Sequence, residues 1–202
     1  MLTIFLINKS IASEYSYIND FKIEYKNDYI KNISAKNEDE SYNAIIEIPS
    51  GTNQKWEISD DYKYLELEFK NGYPRIIKYL GYPANYGFIP NTKLRLDEGG
   101  DGDAIDVLVM NDLPIEKGER VKIKVIGMLK LLDKNKIDHK IISVKVGSIF
   151  EKINSLRTLE NEHSGILEIF SIWFQNYKGE KIKILGFEEK KKAKKFIEKF
   201  VQ

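Results

Sequence analysis

The chain has 202 residues, 42% hydrophobic and 31% charged, which is typical of a globular protein large enough to bury a core in one domain. Its 32 lysines and arginines against 31 acids leave a net charge of +1, which excludes a general electrostatic attraction to nucleic acid or membrane. The chain has no cysteine and two histidines, so disulfides, thiolate sites, a cysteine nucleophile and a histidine-rich zinc site are excluded. Any bound metal must then be a hard cation held by oxygen ligands.

The N-terminal part of the chain differs from the rest in composition and in periodicity. Its first residues, MLTIFLINKSIAS, hold an apolar run that is too short to span a bilayer. No basic segment precedes this run, so we predict a cytoplasmic protein, with export as the alternative if residues 1–12 are a clipped signal peptide. Residues 14–42 are polar and lack sustained periodicity, which predicts a loosely attached arm with one short strand or helix. We therefore divide the chain into an arm, 1–43, and a single domain, 44–202.

From residue 44 onward, short strand-like segments are separated by glycine and proline. NAIIEIP, YLELEF, RVKIKVIGMLKLL and KIKILGF are strand candidates, and DVLVM and IISVKV are denser apolar runs. Several short strands at close spacing predict a closed β-barrel. Apolar residues then recur at helical spacing from Ile166 to Tyr177 and from Ala193 to Val201. The predicted fold class is α+β, a barrel with two main helices packed against it.

An acidic cluster stands immediately before one of the predicted strands. DEGGDGDAID, residues 97–106, places five acids in ten positions and leads directly into VLVM. Asp101 and Asp103 lie two apart, so they share one face of an extended chain, and Asp106 begins the strand. Like charges this close repel one another, which indicates that a cation neutralises them.

A second acidic segment, LLDKNKIDHK, follows later in the chain. Asp133 and Asp138 flank its turn, and Lys140 comes two residues after Asp138. If the strand with VLVM lies near the strand that ends at KLL, the two acidic segments meet in one cleft. Mg²⁺ is the natural cation for such a cleft, because it accepts a few carboxylates, keeps water and bridges phosphates.

Two other interpretations of the acidic cluster exist. Asp and Gly are common in solvated turns, and the cluster taken alone favours that interpretation. A calcium loop of the EF-hand type is the second, and it fails because no bidentate acid follows at the required position.

Two further segments carry polar residues suited to an anionic ligand. EIPSGTNQKWE and GYPANYGFIPNT, with an arginine between them, supply Glu47, Lys55, Glu57, Arg75, Tyr82 and Tyr86. Lysine, arginine and phenol groups can all donate hydrogen bonds to phosphate oxygens. Each residue alone is more often structural, so the argument depends on their combination.

Together these segments resemble the soluble inorganic pyrophosphatases of family I, over residues from about Ala44 to Phe187. DGDAIDVLV matches the family signature D-[SGDN]-D-[PE]-[LIVMF]-D-[LIVMGAC] except at Ala104. EIPSGTNQKWE, YPANYGFIPNT, GMLKLLDKNKIDHK and the YK at residues 177 and 178 supply four more matches in order.

The resemblance implies a catalytic domain with a five-stranded OB-like barrel, which hydrolyses pyrophosphate to two orthophosphates with several Mg²⁺ ions. It implies metal ligation by Asp101, Asp106, Asp133 and Asp138, while Asp103 accepts a proton from, or orients, the attacking water. The implied phosphate-binding residues are Lys55, Arg75, Tyr86, Lys140, Tyr177 and Lys178. The implied cavity-lining residues are Glu47, Glu57 and Tyr82. A homohexamer is the implied assembly.

Three departures from the family pattern affect individual positions. Lys134 replaces the acid that often follows Asp133, Ala104 replaces proline or glutamate, and Arg75 falls into register only with one deletion. None of these removes an implied metal ligand, so we expect an active enzyme.

Two other function classes fit the sequence less well. A non-catalytic OB-like module for nucleic acid would need a positive groove with exposed aromatics, whereas the face that carries the motifs is acidic. A Mg²⁺-dependent phosphohydrolase of nucleotides or organic phosphates would need a segment that reads a base or sugar, and the sequence offers none. We therefore expect neither nucleic acid nor membrane as a partner.

Overall fold

The structure is a computed structural model and describes residues 14–179 and 182–202. The predictions for residues 1–13, including the clipped signal peptide, lie outside this range. Within the two described ranges, no helix combines the length and the apolar character that crossing a membrane requires.

The described residues form short strands with three α-helices. The strands are β1 Tyr15–Asn19, β2 Lys22–Tyr25, β3 Tyr42–Ile48, β4 Trp56–Ile58, β5 Tyr64–Leu67, β6 Phe69–Lys70, β7 Tyr73–Pro74, β8 Asn85–Ile89, β9 Ile105–Met110, β10 Arg120–Asp133, β11 Lys136–Ile137, β12 Lys140–Lys145 and β13 Lys183–Glu189. The helices are α1 Leu156–Glu162, α2 Ile166–Asn176 and α3 Lys190–Phe200, and a 3-10 turn spans Leu96–Glu98.

Five of these strands close into a ring. The pairs β3–β8, β8–β9, β12–β10 and β10–β3 are antiparallel, and β9–β12 is parallel. The ring closes because β10 is 14 residues long, so its first residues pair with β3 and its later residues pair with β12 and β13. This architecture confirms the α+β class with a five-stranded OB-like β-barrel.

Four strands of the ring, β3, β8, β9 and β12, are buried on both faces, as β9 illustrates, whereas the start of β10 alternates between exposed and buried residues. Val107 and Val109 belong to a core cluster that includes α3, whereas Leu108 and Met110 belong to a second cluster that includes α2. Successive side chains of a strand point to opposite faces, so burial on both faces requires the nearly continuous apolar run seen in the sequence. Asp106 shares the face of Leu108, which places its carboxylate on the α2 side.

The two predicted main helices are present as α2 and α3. Helix α3 buries Ala193, Ile197 and Phe200 against the ring and leaves most of its lysines outward. Helix α1 was not predicted, because its seven residues are too few for a clear apolar period. Ser155 begins it, and the Ser155 hydroxyl accepts a hydrogen bond from the Thr158 backbone amide at 3.0 Å.

The segment before β3 differs from the predicted loose arm. It holds two strands, and β2 pairs with β5 in a four-stranded sheet of order β1-β2-β5-β4. Ile23, Tyr25 and Ile30 are almost fully buried, and the Tyr25 hydroxyl donates to the Gly118 carbonyl at 3.1 Å. The prediction of a loosely attached arm with one short strand or helix is therefore wrong. Local sequence could not show the attachment, because β2 pairs with β5, which lies about 40 residues further along the chain. The division at residues 43 and 44 stays a prediction.

A buried hydroxyl connects β8 to the start of β9. Thr92 is fully buried, its hydroxyl donates to the Ile89 carbonyl at 2.6 Å, and it accepts from the Ile105 amide at 3.0 Å. The residue that follows Ile105 is Asp106, so this hydroxyl fixes the backbone next to a predicted metal ligand.

We expect Thr92→Val to destabilise the fold by about 1–3 kcal/mol, because the buried Ile105 amide would lose its partner in a site of unchanged shape. Urea unfolding measures the change in free energy. Thr92→Ser is the matched control, since it keeps the hydroxyl and should lose less stability. A Thr92→Val protein as stable as the wild type would contradict this role.

Candidate active site

The structure brings the predicted site residues together around one cavity of about 620 Å³. The predicted residues that line it are Glu47, Lys55, Glu57, Arg75, Tyr86, Asp101, Asp103, Asp106, Asp133, Asp138, Lys140, Tyr177 and Lys178. Tyr82 is the exception, because it lies behind the wall of the cavity and does not line it. Its ring centroid stands 5.1 Å from that of Tyr86 and 4.5 Å from that of Trp173.

The parallel pairing of β9 with β12 creates the centre of the cavity. It sets Lys140 opposite Asp106, and the two form an ion pair. The Lys140 ammonium also lies 2.6 Å from Asp138 Oδ1 and 3.3 Å from the Tyr86 hydroxyl. Lys140 is almost fully buried, so these partners compensate for the loss of water around its charge.

A second ion pair stands where β10 turns into β11. Lys178, which follows α2, places its ammonium 2.5 Å from Asp133 Oδ2. The other oxygen, Asp133 Oδ1, is buried and has no hydrogen-bond partner. An unpartnered buried carboxylate oxygen is costly in free energy, which indicates that a ligand satisfies it.

Burial and mutual repulsion shift the pKa values of the central aspartates. Burial raises the pKa of Asp138 to about 6, with Lys140 opposing the shift and Asp106 reinforcing it. Burial alone would raise the pKa of Asp106 too, but Lys140 holds it below the ordinary value. Asp103 is exposed to the cavity, yet desolvation by the surrounding protein, followed by the charges of Asp101 and Asp106, raises its pKa.

The opposite wall carries a buried carboxyl and a buried ammonium. Lys55 lies 2.7 Å from Glu57 Oε1, and Glu47 Oε1 accepts from the Ile58 amide at 2.8 Å. Burial raises the pKa of Glu47 to about 8, although the neighbouring Lys55 opposes the shift. Burial therefore favours the protonated form of the Glu47 carboxyl.

Arg75 lines the cavity but is engaged at its edge. Its guanidinium lies 2.5 Å from Glu68 Oε2, a partner that no local sequence pattern indicates. The backbone places Arg75 on the same wall as Lys55, because the Lys55 amide donates to the Arg75 carbonyl at 3.0 Å.

The donor set of the cavity suits a hard cation, since its candidate ligands are carboxylate oxygens. Within residues 14–179 and 182–202, no three acidic, histidine or cysteine side chains are arranged to hold an ion together. The ammonium groups of Lys140 and Lys178 neutralise the aspartates instead. The unpartnered Asp133 Oδ1 and the number of carboxylates fit a metal, and the present arrangement is the lysine-paired one.

Sequence reasoning missed several residues of the lining, among them Asp60, Tyr62, Lys93 and Gln202. Tyr62 has a positive φ of 58°, which is uncommon for an aromatic residue, and its ring lies 6.1 Å from that of Phe88. No local pattern marks any of these positions, because they reach the cavity through turns and through the last residues of the chain.

We expect Glu47→Gln to remove a pH dependence of stability. A folded pKa above the ordinary value stabilises the protein at low pH, and this contribution is lost as the pH rises from about 4.5 towards 8. Relative to the variant, the free energy of unfolding of the wild type should fall by up to about 1.4 kcal/mol for each pH unit in this window. Thermal unfolding at several pH values measures the difference. Glu168→Gln, at an exposed position of α2, is the control, and parallel curves for Glu47→Gln and the wild type would contradict the assignment.

Comparison with known proteins places the chain in one family. A family model described as inorganic pyrophosphatase matches residues 44–202. The inorganic pyrophosphatase of Campylobacter jejuni is 32% identical over 165 residues, which cover 79% of this chain and 90% of that protein. The type I inorganic pyrophosphatase of P. falciparum shares its fold with a TM-score of 0.82 and 26% identity, over 92% of this chain and 70% of that one. An N-terminally truncated vacuolar soluble pyrophosphatase of Trypanosoma cruzi in complex with PPi gives a TM-score of 0.76 at 29% identity, over 79% and 67%. The chain belongs to the inorganic pyrophosphatase family, the generally metal-dependent hydrolases of pyrophosphate.

Proposed function

We propose that this cavity hydrolyses pyrophosphate to two orthophosphates with several Mg²⁺ ions, which Asp101, Asp106, Asp133 and Asp138 hold. The observation that carries the proposal is the pairing of an aspartate cluster with lysine, arginine and tyrosine side chains around one cavity. Pyrophosphate is highly anionic, so a site for it needs cations, while the aspartates need metal ions before such an anion can approach them.

Bound Mg²⁺ supplies neutralisation of the charge on the substrate and lowers the pKa of a coordinated water. The aspartates contribute oxygen ligands, and the unpartnered Asp133 Oδ1 offers one without breaking an existing hydrogen bond. With a metal bound, these aspartates would serve as its ligands, and Lys140 and Lys178, which now pair with them, would be available to phosphate oxygens.

Asp103 is the residue that takes the proton of the attacking water, or orients that water. It is exposed to the cavity, and its pKa is raised by desolvation and then by Asp101 and Asp106. A carboxylate with a raised pKa is a better proton acceptor than an ordinary surface aspartate, and it works best when its pKa approaches the operating pH.

The cationic and phenolic side chains bind the substrate and stabilise charge on the phosphate that leaves. The proposed phosphate-binding residues are Lys55, Arg75, Tyr86, Lys140, Tyr177 and Lys178. Lys55 and Lys140 are nearly buried, so their charges act through a medium that screens them weakly. To bind a phosphate oxygen, the Arg75 guanidinium must break its ion pair with Glu68 or bind both groups at once.

The finer properties of the enzyme are part of the same proposal. The family resemblance supports a catalytic domain over residues 44–202 that assembles as a homohexamer. The proposal includes a cytoplasmic location. Sedimentation of the purified protein measures the assembly.

The direct test is phosphate release from pyrophosphate by the purified protein, first with Mg²⁺ and then with excess chelator. We expect rapid release that stops when the metal is removed, and much slower release from nucleoside triphosphates and sugar phosphates. A folded protein that releases no phosphate at any Mg²⁺ concentration would contradict the proposal.

We expect Asp103→Asn to abolish most turnover, by roughly 10²–10⁴-fold, because an amide cannot accept the proton of water. The fold and at least one metal site should survive, as judged by thermal unfolding and by titration calorimetry with Mg²⁺. Wild-type turnover in this variant would show that another group performs the step.

We expect Asp106→Asn to weaken metal binding itself, because the substitution removes a charged ligand. The Mg²⁺ concentration for half-maximal activity should rise, and calorimetry should report weaker binding. Asp97→Asn is the matched control, since Asp97 is an exposed acid of the same loop that does not line the cavity. Equal Mg²⁺ requirements for both variants would refute the assignment.

A further inference from the structure

The acidic loop, residues 97–106, rests on the segment that precedes it. The Leu94 amide donates to the Asp103 carbonyl at 2.7 Å, and the Gly102 amide donates back to the Leu94 carbonyl at 2.8 Å. The Gly100 amide donates to the Arg95 carbonyl at 3.0 Å. The backbone beside the predicted metal ligands is therefore positioned by Leu94 and Arg95.

The contact between this segment and the acidic loop is close. Gly100 is buried, and a Cβ atom at this position would come within 2.5 Å of the Leu94 carbonyl carbon and oxygen. Real Cβ atoms do not approach backbone so closely, so only glycine lets the loop lie against Leu94. Any shift of Leu94 is passed directly to Asp101 and Asp103.

The preceding segment is held in turn by the end of the chain, here called the C-terminal segment, residues 199–202. The Lys93 amide donates to the Phe200 carbonyl at 2.9 Å, and the Gln202 amide donates to the Asn91 carbonyl at 3.0 Å. Thr92 and Val201 form an antiparallel bridge between these bonds. The C-terminal segment thus pairs with residues 91–93 like a short added strand.

Arg95 ties the C-terminal segment to the acidic loop through its side chain. Its guanidinium donates to Glu98 Oε1 and, at 3.3 Å from both terminal nitrogens, to the Lys199 carbonyl. Its Cζ atom lies 5.1 Å from the centroid of the Phe200 ring. Lys199 completes the network through an ion pair with Glu98.

We propose that the C-terminal segment and Arg95 are positioning elements of the metal site, which hold the acidic loop in the geometry that binds Mg²⁺. This inference rests on the proposed function. Asp101, Asp103 and Asp106 repel one another, so an unbraced loop would spread them apart before a metal arrives. Mg²⁺ demands nearly ideal octahedral geometry, so a loop that is already in place binds it more tightly.

The first test removes one hydrogen bond of the brace. Gln202→Pro deletes the amide that donates to Asn91, and the Val201 backbone, at φ −63° and ψ 139°, already suits a residue that precedes proline. Gln202→Ala is the matched control, because it removes the same side chain from the cavity lining but keeps the amide. Titration calorimetry with Mg²⁺ on the substrate-free protein should show binding weakened roughly three- to tenfold in the proline variant relative to the alanine variant.

The second test removes the side-chain connection. Arg95→Met should raise the Mg²⁺ concentration for half-maximal activity by a similar factor, roughly three- to tenfold, and leave kcat at saturating Mg²⁺ nearly unchanged. Lys192→Met is the control. It breaks an ion pair between Lys192, in the first turn of α3, and Glu188 of β13, and Lys199 of the brace lies in the last turn of the same helix. Lys192→Met should leave the Mg²⁺ requirement unchanged.

The outcomes separate this proposal from a purely structural role and from the proposed function. If Gln202→Pro and Arg95→Met lower the unfolding temperature but keep wild-type Mg²⁺ affinity, the brace serves stability alone and the proposal is overturned. If the wild type itself neither binds Mg²⁺ nor releases phosphate, the proposed function fails first. Weaker Mg²⁺ binding in Gln202→Pro than in Gln202→Ala, together with a higher Mg²⁺ requirement in Arg95→Met than in Lys192→Met, supports the proposal.

Discussion

The aspartates that line the cavity repel one another, and the fold must hold them together against that repulsion. Asp106 and Asp138 are held together because the buried ammonium of Lys140 contacts both, and Asp133 is paired with Lys178 in the same way. Several carboxylates cannot remain ionised at close range without such cations. The same negative charge, which is costly without cations beside it, would attract the divalent metal ions of the proposed site, and the barrel must be stiff enough to keep the charges in place.

The barrel meets this demand through strand register. The parallel pairing of β9 with β12 sets Lys140 opposite Asp106, and the length of β10 carries Asp133 from the closed ring to the mouth of the cavity. Core packing on both faces of β9 makes a register shift costly, because a slip by one residue would exchange the apolar faces and bury Asp106 on the wrong side. Stability and site geometry therefore depend on the same contacts.

Much of the site was visible in the sequence because its residues stand in short local patterns. Asp101, Asp103 and Asp106 follow the spacing of extended chain, and Asp133 and Asp138 flank a turn. The α+β class and helices α2 and α3 followed from periodicity in the same way. The attachment of β2, the position of Tyr82 behind the wall and the pairing of Arg75 with Glu68 did not, because each depends on a partner that local spacing does not reveal.

Without the fold, the sequence already shows which chemical groups this protein offers: carboxylate oxygens without any cysteine thiol, an acidic cluster before a buried strand, and cationic and phenolic groups that suit an anionic ligand. Those properties reside in residue types and short spacings, which survive without knowledge of the fold. The contacts of the folded chain show which lysine neutralises which aspartate, that Asp133 keeps an unpartnered oxygen, and that the C-terminal segment is hydrogen-bonded to the segment that contacts the acidic loop. These facts depend on contacts between residues as far apart as Lys93 and Phe200, which local spacing along the sequence does not reveal.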